Sequence, residues 1–93
     1  MRKRKYSNLF KKALDKINGK ELQNILKKRD EILNSDDLNH YKNLRYDLKK
    51  YKRVHVNDSY VVLFFGDDDI VYFIDYEHHD KIYKKKYTDI NFE

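Results

Sequence analysis

The sequence predicts an α+β domain in which an N-terminal antiparallel helical hairpin packs on a small antiparallel β-sheet. Three observations carry that expectation. Apolar residues recur at helical spacing up to residue 33 and in strand-like runs from residue 51. The strand-like runs are separated only by "NDS" and "GDDD", connections short enough for hairpins. The chain has 93 residues, the size of one domain with a modest core, so 1–93 reads as a single domain.

Ser7 is placed to cap a helix whose Leu9, Phe10, Ala13, Leu14 and Ile17 fall on one stripe, and Asn18-Gly19 ends it. A second helix is expected from about Lys20 to Leu33, apolar at Leu22, Ile25, Leu26, Ile32 and Leu33 and basic at Lys27, Lys28 and Arg29. The short link between them favours an antiparallel pair. Met1 to Tyr6 is a candidate short edge strand, on a weak alternation. Asn34 to Lys50 reads as an ordered loop pinned by Leu38, Tyr41, Leu44 and Leu48. "YKRVHV" (51–56) alternates, with Val54 and Val56 on one side and Tyr51, Arg53 and His55 on the other. "YVVLFF" (60–65) is apolar throughout, as a central strand covered on both faces must be, and "IVYFID" (70–75) is a third strand. "YEHHDKIYKKKY" (76–87) reads as one helical turn, followed by a polar tail ending in Phe92-Glu93.

Charge divides the chain. Residues 1–56 hold 17 Lys and Arg against 7 Asp and Glu, whereas 57–93 hold 4 against 9. On one folded unit this imbalance implies a basic surface, which attracts polyanions by counterion release. No apolar run approaches the roughly 18–20 residues of a membrane span, and no apolar stretch follows the basic start, so a cytoplasmic protein without a secretory signal is expected. With no cysteine there is no thiolate nucleophile and no sulfur-ligated zinc, and with two glycines there is no phosphate-cradling loop.

The chemistry that remains is imidazole, phenol and cations. His55 is set beside Arg53 and Tyr51, with Lys49, Lys50 and Lys52 close in sequence. Guanidinium groups offer planar donors to phosphate, and imidazole moves protons near neutral pH. His78 and His79 follow the last strand, where a meander brings them toward the face carrying His55. In a helical turn His79 and Tyr83 would face the same way. Two imidazoles, a phenol and a cationic cluster are the parts of a metal-independent ribonuclease: a base for the 2′-hydroxyl, an acid for the leaving 5′-oxygen, and cations for the phosphorane-like charge. Tyr60 and Tyr72 are candidates to stack bases. A metal held by His78, His79, Asp75 and Asp80 is disfavoured, because adjacent ligands in one helical turn point apart. No metal or cofactor is expected.

The succession of a helical hairpin, "NLRYDLKKYKRVHVNDSYVVLFF" and "DDDIVYFIDYEHHDKIY" resembles the RelE/ParE superfamily of toxin–antitoxin toxins, over about residues 7–87. The resemblance implies an α+β fold and, for the RelE and YafQ type, metal-free cleavage of messenger RNA, commonly in the ribosomal decoding site, that inhibits translation. It also implies a cognate antitoxin partner. Carried over, it assigns His55, His79 and Tyr83 to catalysis, with Arg53 beside them. RNA binding falls to Tyr60 with Lys49, Lys50, Lys52 and Lys84 to Lys86. Two departures stand out: Val61 occupies a position where many such toxins carry arginine, and Ser59 stands before the stacking aromatic where they carry aspartate. A non-catalytic toxin, similar to the gyrase-binding ParE branch or a degenerate member, is the alternative reading.

Overall fold

The computed structural model describes residues 1–92. It is an α+β fold: strand β1 (Lys3–Tyr6), helices α1 (Asn8–Asp15) and α2 (Gly19–Leu33), then β2 (Lys42–Asn43), β3 (Lys52–Val56), β4 (Tyr60–Gly66) and β5 (Ile70–His78). The sheet runs β1-β5-β4-β3-β2. Pairs β2–β3, β3–β4 and β4–β5 are antiparallel, whereas β1 pairs with β5 in parallel, Lys3 opposite Ile70 and Tyr6 opposite Phe73. The helices therefore do not open the fold. A strand precedes them and returns to the sheet's far edge, so the sheet is not wholly antiparallel.

Local chemistry explains the helix boundaries. The Ser7 side chain accepts from the Phe10 amide at 3.0 Å, capping α1 as its position suggests. It also donates to the Ile74 carbonyl, so the cap is fastened to β5. Helix α1 stops at Asp15, and Gly19, with φ 59°, starts α2 in the left-handed region that a side chain disfavours. Asn57 and Asp58 take φ of 58° and 60° in the β3–β4 turn, which Asn and Asp tolerate better than most residues. Gly66 is needed where β4 leaves the sheet, because a Cβ there would lie 2.8 Å from the Val71 Cα.

Two apolar clusters flank the sheet. On the helix side Phe10, Ile25, Ile32, Leu33, Val62, Phe64 and Phe73 are buried together. On the other side Val61, Leu63, Ile74, Tyr51 and Leu44 are buried beneath Ile82 and the C-terminal residues Tyr87, Ile90 and Phe92. Strand β4 alternates between the two clusters and is the doubly covered strand its composition requires.

Three segments differ from expectation. Strand β5 continues to His78 instead of breaking at Asp75, and a 3₁₀ turn at Ile82–Lys84 replaces the expected helical turn. A bulge lies within the extended strand: Leu63 faces Asp75 but Phe64 faces Phe73, so Ile74 is the extra residue and both Ile74 and Asp75 turn away from the helices. The 34–50 segment contains two 3₁₀ turns and the two-residue strand β2, held by buried Leu38 and Leu44. The Phe92 end of the tail bridges back to Ser7, and Glu93 lies outside the described residues. Among the described residues no helix is long and apolar enough to cross a membrane.

Phe73 joins helix α1 and strand β1 to the rest of the sheet, with ring centroids 5.5 Å from Phe10, 5.9 Å from Tyr6 and 6.3 Å from Phe64. Phe73→Ala is expected to lower unfolding free energy by about 3–5 kcal/mol, measured by urea denaturation. A loss below about 1 kcal/mol would show that this junction does not hold the two layers together.

Candidate active site

Strand registry sets the site. His55 lies opposite Val61 and Arg53 opposite Leu63, so both project from the sheet face away from the helices. A cleft of about 410 Å³ opens there, lined by Leu44, Arg45, Tyr46, Arg53, His55, Val61, His79, Ile82 and Tyr83. Its floor is the apolar cluster of Val61, Leu44 and Ile82, and its walls carry two imidazoles, two guanidinium groups and two phenols. The rings of His55 and His79 are 6.2 Å apart, inclined at 55°.

His79 is the more tightly held histidine. Its backbone N–H donates to the Ser59 carbonyl at 2.8 Å, and its ring Nδ1 lies 2.9 Å from the same oxygen. A carbonyl oxygen only accepts, so Nδ1 carries the hydrogen. Its Nε2 lies 3.0 Å from an Asp80 carboxylate oxygen. His78 stacks on His79, centroids 4.7 Å apart at 27°. Adjacent histidines were expected to point apart, but His78 ends the strand and His79 begins the turn, so the alternation stops between them.

Tyr83 reaches the cleft from the 3₁₀ turn, and its hydroxyl oxygen accepts the Arg45 amide hydrogen at 3.0 Å. Tyr46 packs edge-on against it at 6.2 Å and is 79% exposed, with its backbone at φ 60°. A bulky residue in that region at a solvent-facing position marks a local constraint of the kind concentrated at functional sites. Arg45 and Tyr46 were not singled out from sequence. The available signal was an Arg-Tyr pair in a polar loop directly before the His55 strand.

The remaining candidates lie elsewhere. Lys52 is on the helix-facing side of β3, its ammonium bound to Asn43 Oδ1 at 2.9 Å and the Tyr41 carbonyl at 3.3 Å. Tyr60 is also on that side, stacked on Tyr76 at 5.1 Å with His78 edge-on at 5.4 Å. Tyr72 stacks on Phe65 at 4.9 Å. Lys50 covers the Tyr51 ring at 5.1 Å, and Lys49, Lys84 and Lys86 are exposed outside the cleft.

Lys85 is bound internally: its ammonium lies 2.7 Å from Asp75 and 3.2 Å from Glu77. The buried Asp75 carboxylate also accepts the Tyr87 hydroxyl at 2.9 Å. Burial disfavours the Lys85 charge, but hydrogen bonds and attraction from Asp75 and Glu77 outweigh it and raise its pKa. Burial also works against the Glu77 carboxylate, yet the His78 amide and Lys85 hold its pKa below the ordinary value. Burial and then Asp75 push the Tyr87 phenol far up, so it stays a donor.

The fold is thus a small α+β domain whose sheet face carries a cleft with two histidines, two arginines and two tyrosines. Comparison with known proteins names the family. A Methanocaldococcus jannaschii protein named "Putative toxin RelE4" is 48% identical over 75 residues, spanning 78% of each chain. A Methanosarcina mazei protein named only as uncharacterized is 44% identical over 72 residues, spanning 75% of this chain and 81% of its own. The chain belongs to the RelE family of toxins. No family profile matches the chain, and no solved structure matches it.

The depressed Glu77 carboxylate makes a pH prediction. Its pKa is lower folded than unfolded, so its contribution is present above the unfolded value, about 4.3, and is lost as pH falls through the folded one. Glu77→Gln should lower Tm at neutral pH and flatten its fall below about pH 5, followed by thermal melts across pH. Unchanged acid sensitivity in the variant would remove Glu77 from the account.

Proposed function

We propose that the protein is the toxin of a toxin–antitoxin pair and an endoribonuclease that cleaves messenger RNA without a metal, stopping translation. The observation supporting this reading is the pairing of His55 and His79 across one cleft, 6.2 Å between ring centres, with Arg53 on the same strand face. That gap suits two proton-transfer groups on either side of a phosphodiester. His55, exposed and two residues from Arg53, takes the proton of the ribose 2′-hydroxyl. The 2′-oxygen bonds to phosphorus, the bond to the 5′-oxygen breaks, and His79 gives its Nε2 proton to that oxygen. The products are a 2′,3′-cyclic phosphate and a 5′-hydroxyl.

The cleft's other groups serve the charge and position of that step. Arg53 and Arg45 face the phosphate, where guanidinium groups stabilise the pentavalent arrangement. Arg45 supplies from the β2–β3 loop a cation that β4 lacks, since Val61 is fully buried. Tyr83 and Tyr46 offer exposed rings for stacking of the flanking bases. Lys49, Lys50 and Lys84 draw the RNA backbone toward this face, while Lys52 and Lys85 act through the field rather than by contact. Tyr60 meets a base only if the strand passes over the hairpin end of β4. Action on the ribosome in the cytoplasm, and silencing by an acidic antitoxin segment that folds over the cleft, complete the proposal.

One observation favours a second reading, a toxin that binds a partner without cleaving RNA: β4 presents buried Val61 where an arginine would face the phosphate. The two readings separate on the histidines. For the nuclease, His55→Ala and His79→Ala should each lower cleavage of a messenger RNA by about 10²–10⁴-fold, with RNA affinity changed only a few-fold. Cleavage should persist in chelator and follow a bell-shaped pH profile. Growth arrest unaltered by both substitutions, without new RNA ends, would establish the binding-only toxin instead.

A further inference from the structure

The turn that carries His79 sets beside it two groups, His78 and Asp80, that the nuclease step does not use. The donor atoms of His78, His79 and Asp80 all lie within 4.8 Å of one another. His79 Nε2 is 3.0 Å from one Asp80 oxygen and His78 Nδ1 is 3.8 Å from the other. Two ligands of a tetrahedral zinc ion, each about 2.0–2.1 Å from the metal, stand about 3.3 Å apart, so these two separations bracket the value needed.

The orientation of His79 points the same way. Its Nδ1–H donates to the Ser59 carbonyl at 2.9 Å. This is the outer hydrogen bond that fixes a metal-binding imidazole, because it leaves Nε2 as the nitrogen able to offer a lone pair. His78 Nδ1 accepts the Asp80 amide hydrogen at 3.2 Å, a bond that coordination would replace. The stacked rings hold the two histidines together. Side chains of His79 and Asp80 are 46% and 72% exposed, which leaves an entry path and a coordination position for water. The set of two imidazoles and one carboxylate suits Zn²⁺ rather than the oxygen-seeking Mg²⁺ or Ca²⁺.

We propose that His78, His79 and Asp80 form a Zn²⁺ site whose occupancy switches the cleft off. The ion takes His78 Nδ1, His79 Nε2 and an Asp80 oxygen, and the Nε2 proton of His79 passes to solvent. A metal-bound Nε2 holds no proton for the leaving 5′-oxygen, so zinc is an inhibitor rather than a cofactor. The inhibitory half rests on the nuclease reading, whereas the binding half does not. Because coordination displaces a proton, zinc binds more tightly as pH rises.

The test uses the full-length protein with no affinity tag. Calorimetric titration with Zn²⁺ should give one equivalent bound with proton release. In NMR spectra the ring C–H signals of His78 and His79 should move while those of His40 and His55 stay. Co²⁺ in place of zinc should give the visible absorption of a four-coordinate site. His78→Gln and, independently, Asp80→Asn should each weaken binding about tenfold or more. Zinc should suppress RNA cleavage by the wild type and spare that by His78→Gln. No binding by the wild type, or binding retained in both variants, overturns the site. Binding confirmed with cleavage unaffected overturns the switch. A wild type that never cleaves RNA sinks the nuclease reading and the switch built on it, while titration still decides the site.

Discussion

Strand β4 is the ruler on which the rest of this structure is measured. Both faces are buried, so a one-residue slip in its pairing would bring Tyr60 into the core and expel Val61 or Phe64. With that register locked, β3 must place His55 opposite Val61, and β5 must place His78 opposite Tyr60. His79 then arrives at the Ser59 carbonyl, one residue before β4 begins. The two histidines come from strands on either side of β4 and meet at its end. Their rings lie 6.2 Å apart, a distance set by the apolar packing of a third strand.

The bulge at Ile74 is the second device. Without it the alternation of β5 would send either Phe73 or Asp75 to the wrong side of the sheet. With it, Phe73 remains under the helices and Asp75 reaches Lys85 and Tyr87 on the far face. A buried carboxylate is costly unless fully paired, and here an ammonium and a phenol both answer it. That pairing anchors the segment after the 3₁₀ turn that carries Tyr83. A charged network remote from the cleft thus helps place one of its walls.

The parts of the fold legible in sequence were those whose own composition demanded them. "YVVLFF" could be little but a central strand, and Ser7 capped α1 as its neighbours required. Strand β1, "KRKY", was only faintly legible, because edge strands lean on a neighbour and need little apolar pattern of their own. The continuation of β5 through "DYEHH" was hidden for a related reason: its polar residues are compensated by Lys85, Tyr87 and the β4 backbone, none of which is near in sequence. At the site, His55, Arg53, His79 and Tyr83 were identifiable as chemically able side chains, and the structure gathers them into one cleft. Arg45 and Tyr46 were not, since their importance comes from a loop conformation that composition does not announce. Lys52 and Tyr60 share sequence proximity with the site but face away, the ordinary result of alternation along a strand.

The parallel pairing of β1 with β5 also governs when the molecule can exist. Residues 3–6 find their partners at 70–73, and the Asn8 amide is satisfied by the Asn91 carbonyl. During synthesis the strongly basic β1 segment has no sheet partner until residues 70–73 have emerged. The cap of α1 is fastened to the same distant strand, through Ser7 and Ile74. The first strand of the fold thus finds its partner only in the last.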